Sequence, residues 1–155
     1  ESVDDPVKFK KLILIFEKLG KKFNKRFIFP THPRTKKMIK KMDINKLNFI
    51  EFIDPLEFLD FLSLMKNSKI VFTDSGGVQE ETSLLGVPCI TIRKSTERQL
   101  TIKEKTNILT GYDYNKICNA IIYFNKNKIK ASKIFGDGNV ANKIFDKLKT
   151  IYKHN

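Results

Sequence analysis

The stretch TDSGGVQEETSLLG, residues Thr73–Gly86, organises the chain. It follows the apolar run Ile70–Phe72, which predicts a buried strand, and it continues into a segment with helical spacing. Between the two, the polar turn Asp74–Gly77 ends in two consecutive glycines. A strand, a glycine-rich turn and a helix start in that order expose backbone N–H groups at the positive end of a helix dipole. The stretch therefore predicts an anion site, suited to a nucleotide or a sugar nucleotide.

The rest of the chain alternates in the same way. Further apolar strands are predicted near Phe27–Phe29, Phe49–Phe52, Pro88–Ile92 and Asn107–Leu109, with helical segments between them. Gly20 is expected to end the first helix. Asp54 is expected to cap the third, whose inward positions would be Leu56, Leu59, Leu62 and Met65. Apolar strands alternating with helices predict a Rossmann-like α/β domain, a parallel sheet with helices on both faces.

Three polar turns follow predicted strands of this sheet. They are Thr31–Thr35, Asp74–Gly77 and Arg93–Arg98. Ligands of open parallel sheets bind beyond the carboxyl ends of the strands. We therefore expect the three turns to share one crevice.

The central turn offers the most direct candidates for binding. Ser75, Gly76 and Gly77 supply backbone N–H groups and one hydroxyl to an anion. The alternative is an ordinary strand-to-helix turn that Ser75 caps.

Two acids follow the turn on the predicted helix. On a helical wheel Glu81 falls between Leu84 and Leu85, inside an apolar arc, where a carboxylate is costly to bury unless donors satisfy it. Ribose hydroxyls would supply those donors, and a nearby lysine or arginine is the alternative. Glu80 points further round the helix, towards solvent or a salt bridge.

The other two turns carry cationic candidates. His32 could act as an acid or base or bind phosphate, although a capping or packing histidine is the alternative. Arg34, Arg93 and Arg98 are arginines in a chain whose cations are mostly lysine, which suits bidentate recognition of phosphate. Phe61 lies outside the main apolar stripe of its helix and could line a pocket.

Composition narrows the class of protein. The chain has 155 residues and a net charge of +13, which raises nucleic acid as a partner. The lysines are spread along the whole chain rather than clustered with aromatics, so we expect no nucleic-acid partner. The two cysteines form no CxxC pair and read as buried thiols. The sequence contains neither a signal peptide nor a run long enough to span a bilayer, and it predicts a soluble, cytoplasmic protein.

Several segments carry a more specific pattern. They read THPRT at 31–35, DPLEFLDFLSLMKNS at 54–68, TDSGGVQEETSLLGVP at 73–88, RKSTERQLTIKEKTNILTG at 93–111 and GDGNVANKI at 136–144. The long DSGGxQEE stretch followed by a TER triplet is the most specific. In these segments the chain resembles the non-hydrolysing UDP-N-acetylglucosamine 2-epimerases, which have the two-domain GT-B fold. The family commonly shows TERPE, whereas Gln99-Leu100 follow the triplet here.

The resemblance implies a role for each candidate. Ser75, Gly76 and Gly77 would bind the diphosphate and Glu81 the ribose. Phe61 would lie near the uracil, His32 would sit by the diphosphate as a catalytic contributor, and Arg98 would face the cleft. Arg34, Arg93 and Glu80 are weaker candidates for binding UDP. The implied reaction eliminates UDP to give 2-acetamidoglucal and adds it back, which interconverts UDP-GlcNAc and UDP-ManNAc without a metal or cofactor.

The same resemblance implies an architecture. Residues 1–155 would form one UDP-sugar-binding domain, the C-terminal half of an enzyme that is a homodimer at full length. The last helix, at about 139–152, would pack on the missing N-terminal half, and the fragment alone would be inactive. The UDP-sugar-binding half of a GT-B glycosyltransferase is the alternative, since it shares the diphosphate site. A nucleic-acid-binding module is a third reading, which predicts steep salt dependence.

Overall fold

The computed structural model describes residues 5–42 and 47–152, without the side chains of Arg34 and Lys41. The helices are α1 Pro6–Phe23, α2 Pro33–Lys41, α3 Phe58–Lys66, α4 Gly76–Leu85, α5 Gln99–Lys103, α6 Tyr114–Lys126 and α7 Val140–Tyr152. The strands are β1 Phe27–Pro30, β2 Ile50–Ile53, β3 Val71–Thr73, β4 Cys89–Thr91 and β5 Asn107–Leu109. The predicted alternation is confirmed, and the structure adds the short helix α5, which no sequence pattern had indicated.

The strands pair in parallel, as predicted. β1 pairs with β2, and β3, β4 and β5 follow one another in that order, so the hydrogen bonds define two groups of strands. Phenylalanine rings join the groups. The rings of Phe27 in β1 and Phe72 in β3 lie 5.3 Å apart, and Phe16 of α1 contacts both. The aromatic contact thus holds the two groups together where no ladder does.

The apolar core lies between the strands and helices α1 and α6. Each helix buries one stripe at helical spacing, which comprises Phe9, Leu12, Ile13, Phe16 and Leu19 in α1 and Ile117, Ala120, Ile121 and Phe124 in α6. Both begin at an aspartate. Asp5 accepts hydrogen bonds from the N–H groups of Lys8 and Val7, and these bonds, together with the Lys8 ammonium group, lower the pKa of its carboxyl group. Asp113 accepts one from Lys116.

Gly20 does not end α1, contrary to the prediction. The helix runs on to Phe23, and Asn24 takes the left-handed position with φ 49°, its N–H bonded to the carbonyl of Gly20. Gly20 is needed for another reason. A Cβ at this position would lie 2.3 Å from the Cβ of Phe49, so only glycine lets α1 approach that residue.

The predicted start of α3 is also wrong. The helix begins at Phe58 rather than directly after Asp54, whose carboxylate instead pairs with Lys36 Nζ at 2.5 Å. The inward face of α3 is narrower than predicted. Of the predicted inward positions, Met65 is buried, but Leu59 is 75% exposed. An ion pair to α2 has replaced the expected cap.

α7 stands apart from the core. None of its side chains is buried. The apolar side chains that are about half exposed are Val140, Ile144, Phe145, Leu148 and Ile151. Within the two described ranges, no helix has the length and apolar character needed to cross a membrane.

Candidate functional site

The central turn joins β3 directly to α4. Thr73 shapes it, because its hydroxyl oxygen accepts a hydrogen bond of 3.0 Å from the N–H of Ser75. Ser75 takes the N-cap position with an extended backbone, but its exposed side chain makes no capping hydrogen bond. Gly76 and Gly77 form the first turn of the helix. The turn therefore presents a hydroxyl and the amino end of a ten-residue helix to solvent.

The two glycines have different surroundings. A Cβ at Gly76 would lie 2.5 Å from Glu97 Oε1, whereas the one atom of the described residues that a Cβ at Gly77 would meet is Ser75 Oγ, at 3.8 Å. The approach to Gly77 is therefore open, and a carboxylate stands over Gly76. Sequence reasoning did not single out Glu97.

The loop that contains Glu97 covers one side of the turn. Arg93 Nη1 donates a hydrogen bond of 3.4 Å to the carbonyl of Asp74, and it lies 3.6 Å from Glu97 Oε2. Arg98 Nη1 lies 3.8 Å from Glu97 Oε1. The structure therefore brings together two of the three predicted turns, Asp74–Gly77 and Arg93–Arg98.

Glu80 is the other partner of Arg98. Its Oε1 forms an ion pair with Arg98 Nε. The angles of this contact are not those of a hydrogen bond. Both side chains are about one-third exposed, at 34% and 35%. The predicted salt bridge of Glu80 is confirmed, and it ties α4 to the loop after β4.

The buried face of α4 is polar, which corrects the helical-wheel prediction. Gln79, Thr82 and Ser83 are fully buried, and Leu84 is 44% exposed. α4 packs on β4 and α5, which add the buried hydroxyls of Thr91 and Thr101 to this polar face. Glu81 therefore does not lie in an apolar arc. The polar positions recur at i, i+3 and i+4, a signal that could have identified this face.

Gln79 lies at the centre of that polar layer. Its Oε1 accepts hydrogen bonds from Thr96 Oγ1 at 2.6 Å and Asn107 Nδ2 at 3.1 Å. Its Nε2 donates to the carbonyl of Ser75 at 3.2 Å. The Gln79 side chain thus links the turn, the loop before α5 and strand β5. Sequence reasoning did not identify the contacts with Thr96 and Asn107, because they join residues far apart in the chain.

Glu81 lies one turn along α4 from Gly77. It is half-buried, and its carboxylate forms no hydrogen bond or ion pair with the residues that the structure describes. A half-buried carboxylate with unused acceptors is suited to a ligand that carries hydroxyl donors. Phe61 is half-buried in α3, which packs against α4.

The first predicted turn is held by β2. The Thr31 hydroxyl donates to the carbonyl of Ile53 at 2.8 Å, and the Thr31 N–H donates to the same oxygen at 3.0 Å. His32 is exposed immediately before α2. Arg34 lies in the first turn of α2, and its side chain is outside the described part. The roles predicted for His32 and Arg34 stay predictions.

The buried thiols lie away from solvent, as predicted. Burial raises the pKa of Cys89, in β4, to about 11, which keeps its thiol protonated at neutral pH. Cys118 is buried in α6. In residues 5–42 and 47–152, no three histidine, cysteine or acidic side chains cluster closely enough to hold a metal ion.

Known proteins share both the sequence and this architecture. A UDP-N-acetylglucosamine 2-epimerase of Methanococcus maripaludis is 40% identical over 96% of this chain, and one of Methanocaldococcus jannaschii is 38% identical over 93%. The chain spans 43% and 40% of the length of these two relatives.

Solved structures agree. The M. jannaschii UDP-GlcNAc 2-epimerase, in complex with UDP-GlcNAc and UDP, superposes with a TM-score of 0.83. It is 36% identical in sequence, and the match covers 96% of this chain and 42% of the M. jannaschii chain. The Neisseria meningitidis UDP-GlcNAc 2-epimerase bound to UDP-GlcNAc superposes with a TM-score of 0.77. It is 29% identical in sequence, and the match covers 91% of this chain and 40% of the N. meningitidis chain. These likenesses confirm the predicted fold class. Since the UDP-N-acetylglucosamine 2-epimerase family profile also matches residues 1–149, the chain belongs to the UDP-N-acetylglucosamine 2-epimerase family.

Proposed function

We propose that this chain is the UDP-binding half of a UDP-GlcNAc 2-epimerase, which interconverts UDP-GlcNAc and UDP-ManNAc by eliminating UDP and adding it back. One observation carries the proposal. The helix start at Gly76–Gly77, which is open at Gly77, lies beside Arg93 and Arg98, and the same helix presents Glu81, whose carboxylate has no partner among the described residues. The M. jannaschii and N. meningitidis structures, which bind UDP-GlcNAc, support the choice of ligand.

The spacing along α4 suits a nucleoside diphosphate. Gly77 and Glu81 are four residues apart, so they lie on nearly the same face of the helix and are separated by about 6 Å along its axis. A diphosphate at the N–H groups of Gly76 and Gly77 would therefore place a ribose near Glu81. Phe61, on the helix that packs beside α4, would lie near the uracil.

The chemistry needs a stabilised leaving group. When the bond between the sugar C1 and the phosphate oxygen breaks, UDP departs with the electron pair and gains negative charge. C2 would give up its proton to a base, for which the N-terminal half is the proposed source, and the electrons of that C–H bond would form the double bond between C1 and C2. Preorganised N–H groups at the start of α4 would stabilise that charge, together with Ser75 and Arg98. Arg98 would exchange part of its ion pair with Glu80 for the phosphate. His32 would act beside the diphosphate, and Arg34 and Arg93 would add positive charge there.

We further propose that catalysis requires an N-terminal half and that α7 docks on it. The matched relatives are more than twice as long as this chain, and the apolar side of α7 has no cover within the described residues. An exposed apolar helix face of this kind marks an interaction surface. The full-length enzyme would be a homodimer in the cytoplasm, and this chain alone would bind UDP without turnover.

Titration calorimetry of the chain with UDP tests the binding half of the proposal. We expect Glu81→Gln to weaken UDP binding about tenfold, because it removes charge-assisted hydrogen bonds to the ribose. Glu104→Gln is the matched control, since Glu104 is exposed and, within the described residues, its carboxylate accepts one hydrogen bond, from Ser132 Oγ. Equal affinity in the Glu81 and Glu104 variants would contradict the ribose assignment. Absence of UDP binding by the unaltered chain would contradict the function.

A chimera tests the reaction. This chain would replace the matching C-terminal part of the M. jannaschii relative, and NMR would follow UDP-GlcNAc in the absence of any acceptor. We expect UDP-ManNAc to appear. A chimera that binds UDP and transfers the sugar only when an acceptor is supplied would favour the glycosyltransferase alternative.

A further inference from the structure

The polar layer under the turn connects the two parts of the proposed UDP site. The Gln79 side chain is fully buried and donates to the carbonyl of Ser75, the residue that opens α4. Its Oε1 accepts from Thr96 Oγ1. Thr96 Oγ1 in turn accepts a hydrogen bond of 3.1 Å from the backbone N–H of Arg98. Two side chains therefore connect the anion turn to the arginine that faces it.

Other buried groups fix the orientation of these side chains. Asn107 donates from Nδ2 to Gln79 Oε1 and also to Thr101 Oγ1 at 3.1 Å. Its Oδ1 accepts from Thr91 Oγ1 at 2.8 Å. Because every one of these partners is buried, a shift of Gln79 would leave a donor or acceptor without a partner. The amide is held in one position rather than sampling several.

A second set of contacts restrains the loop from its other side. Gln99 Nε2 donates to the carbonyl of Thr96 at 2.6 Å, and the N–H of Thr101 donates to the carbonyl of Arg98 at 3.0 Å. Thr96 is 6% exposed, whereas the Arg98 side chain is 35% exposed. The loop is thus anchored in the protein interior at Thr96, while the guanidinium group of Arg98 is partly exposed to solvent.

From this geometry we infer that Gln79 and Thr96 are positioning residues of the UDP site. They hold the loop at a fixed distance from the start of α4, so that Arg98 and the N–H groups of Gly76 and Gly77 meet the same diphosphate. The inference rests on the proposed function, since it concerns how that site is preorganised. Neither side chain touches the ligand; both act through Ser75 and Arg98.

The test compares Thr96→Val with Thr96→Ser. Valine keeps the branched shape and removes the hydroxyl, while serine keeps the hydroxyl. Thr106→Val is the matched control, because Thr106 is another buried threonine, whose hydroxyl bonds Ser83 Oγ and the carbonyl of Thr101 rather than the loop at Arg98. Gln79→Met would also strand Asn107 and could unfold the chain, so the Thr96 pair carries the test.

UDP and uridine affinities are measured by NMR titration, and thermal midpoints are recorded for every variant. We expect Thr96→Val to weaken UDP binding about tenfold, the effect of one well-placed hydrogen bond, and to leave uridine binding unchanged. Thr96→Ser should restore UDP binding. Thr106→Val should lower the thermal midpoint as much as Thr96→Val does but keep the ratio of UDP to uridine affinity.

Each other result decides against the inference in a distinguishable way. If the unaltered chain binds UDP and Thr96→Val binds it equally well, the positioning role is refuted and the proposed function stands. If UDP and uridine binding weaken together, or serine fails to restore UDP binding, Thr96 is merely structural. If the unaltered chain does not bind UDP, the proposed function and this inference both fail.

Discussion

Replacing Glu97 by glutamine should tighten UDP binding, because the carboxylate stands at the approach to α4. Its Oε1 lies 2.5 Å from the Cβ position of Gly76 and 3.8 Å from Arg98 Nη1, and its Oε2 lies 3.6 Å from Arg93 Nη1. A diphosphate bound at the helix start would meet this charge and compete with it for both guanidinium groups. Glutamine keeps the size of the side chain and removes the charge.

The size of the effect follows from Coulomb's law. Two unit negative charges about 5 Å apart repel by about 0.8 kcal/mol in water and by about 3 kcal/mol at an effective dielectric constant of 20. The Glu97 side chain is 51% exposed, so the lower part of this range applies. The ion pairs lost with the carboxylate are surface pairs that contribute less than about 1 kcal/mol. We expect a net gain of about 1 kcal/mol, roughly a fivefold tighter dissociation constant.

Calorimetry with UDP at low and high salt provides the assay. The gain should shrink as the ionic strength rises from about 0.05 M to about 0.5 M, because exposed charges are screened. Glu104→Gln, which makes the same chemical change away from the turn, should leave the affinity unaltered. Weaker binding by Glu97→Gln at low salt would refute this reasoning, since it would mean that Glu97 chiefly orients the arginines.

Three further predictions concern stability. Gly86→Ala should lower the free energy of unfolding, measured by urea titration, by roughly 2–3 kcal/mol. The reason is that Gly86 has φ +69° and that a Cβ there would lie 2.7 Å from the backbone nitrogen of Ala131. An unchanged urea midpoint would contradict this prediction. The pKa of Cys89, raised by burial to about 11 from a usual 9.0, means that only the unfolded state ionises between these values. Stability should therefore fall by up to roughly 3 kcal/mol as pH rises from 9 to 11, and Cys89→Ala should abolish that part of the pH dependence. Ile144→Ala and Leu148→Ala should each change the unfolding free energy by less than about 0.5 kcal/mol, because both side chains are about half exposed on α7, at 55% and 47%; a larger loss would mean that α7 packs on this chain.

Local patterns predicted the elements well. The Asp74–Gly77 turn and the helix that Gly86 ends in the left-handed conformation were readable, because turn and cap chemistry depends on adjacent residues. Asp54 was misread for the opposite reason. Its capping potential is local, but Lys36 of another helix is its partner in the fold.

The polar layer could not be predicted from one helix alone. Gln79 becomes central only when β5 and the loop before α5 bring Asn107 and Thr96 against it, across 28 and 17 residues of sequence. A helical wheel assumes that the buried side of a helix is apolar. α4 departs from that assumption, which is why Glu81 was assigned to the wrong environment.

The polar layer under α4 also bears on redesign of the protein. In the aliphatic and aromatic core around α1, exchanges that conserve volume usually cost less than about 1.5 kcal/mol. In the layer of Gln79, Thr96 and Asn107, almost any exchange strands a buried partner, which costs about 1–3 kcal/mol and moves the turn above it. Libraries that seek a changed nucleotide preference should therefore keep these three positions fixed and vary the half-buried surface around Phe61, where mutational tolerance is greater.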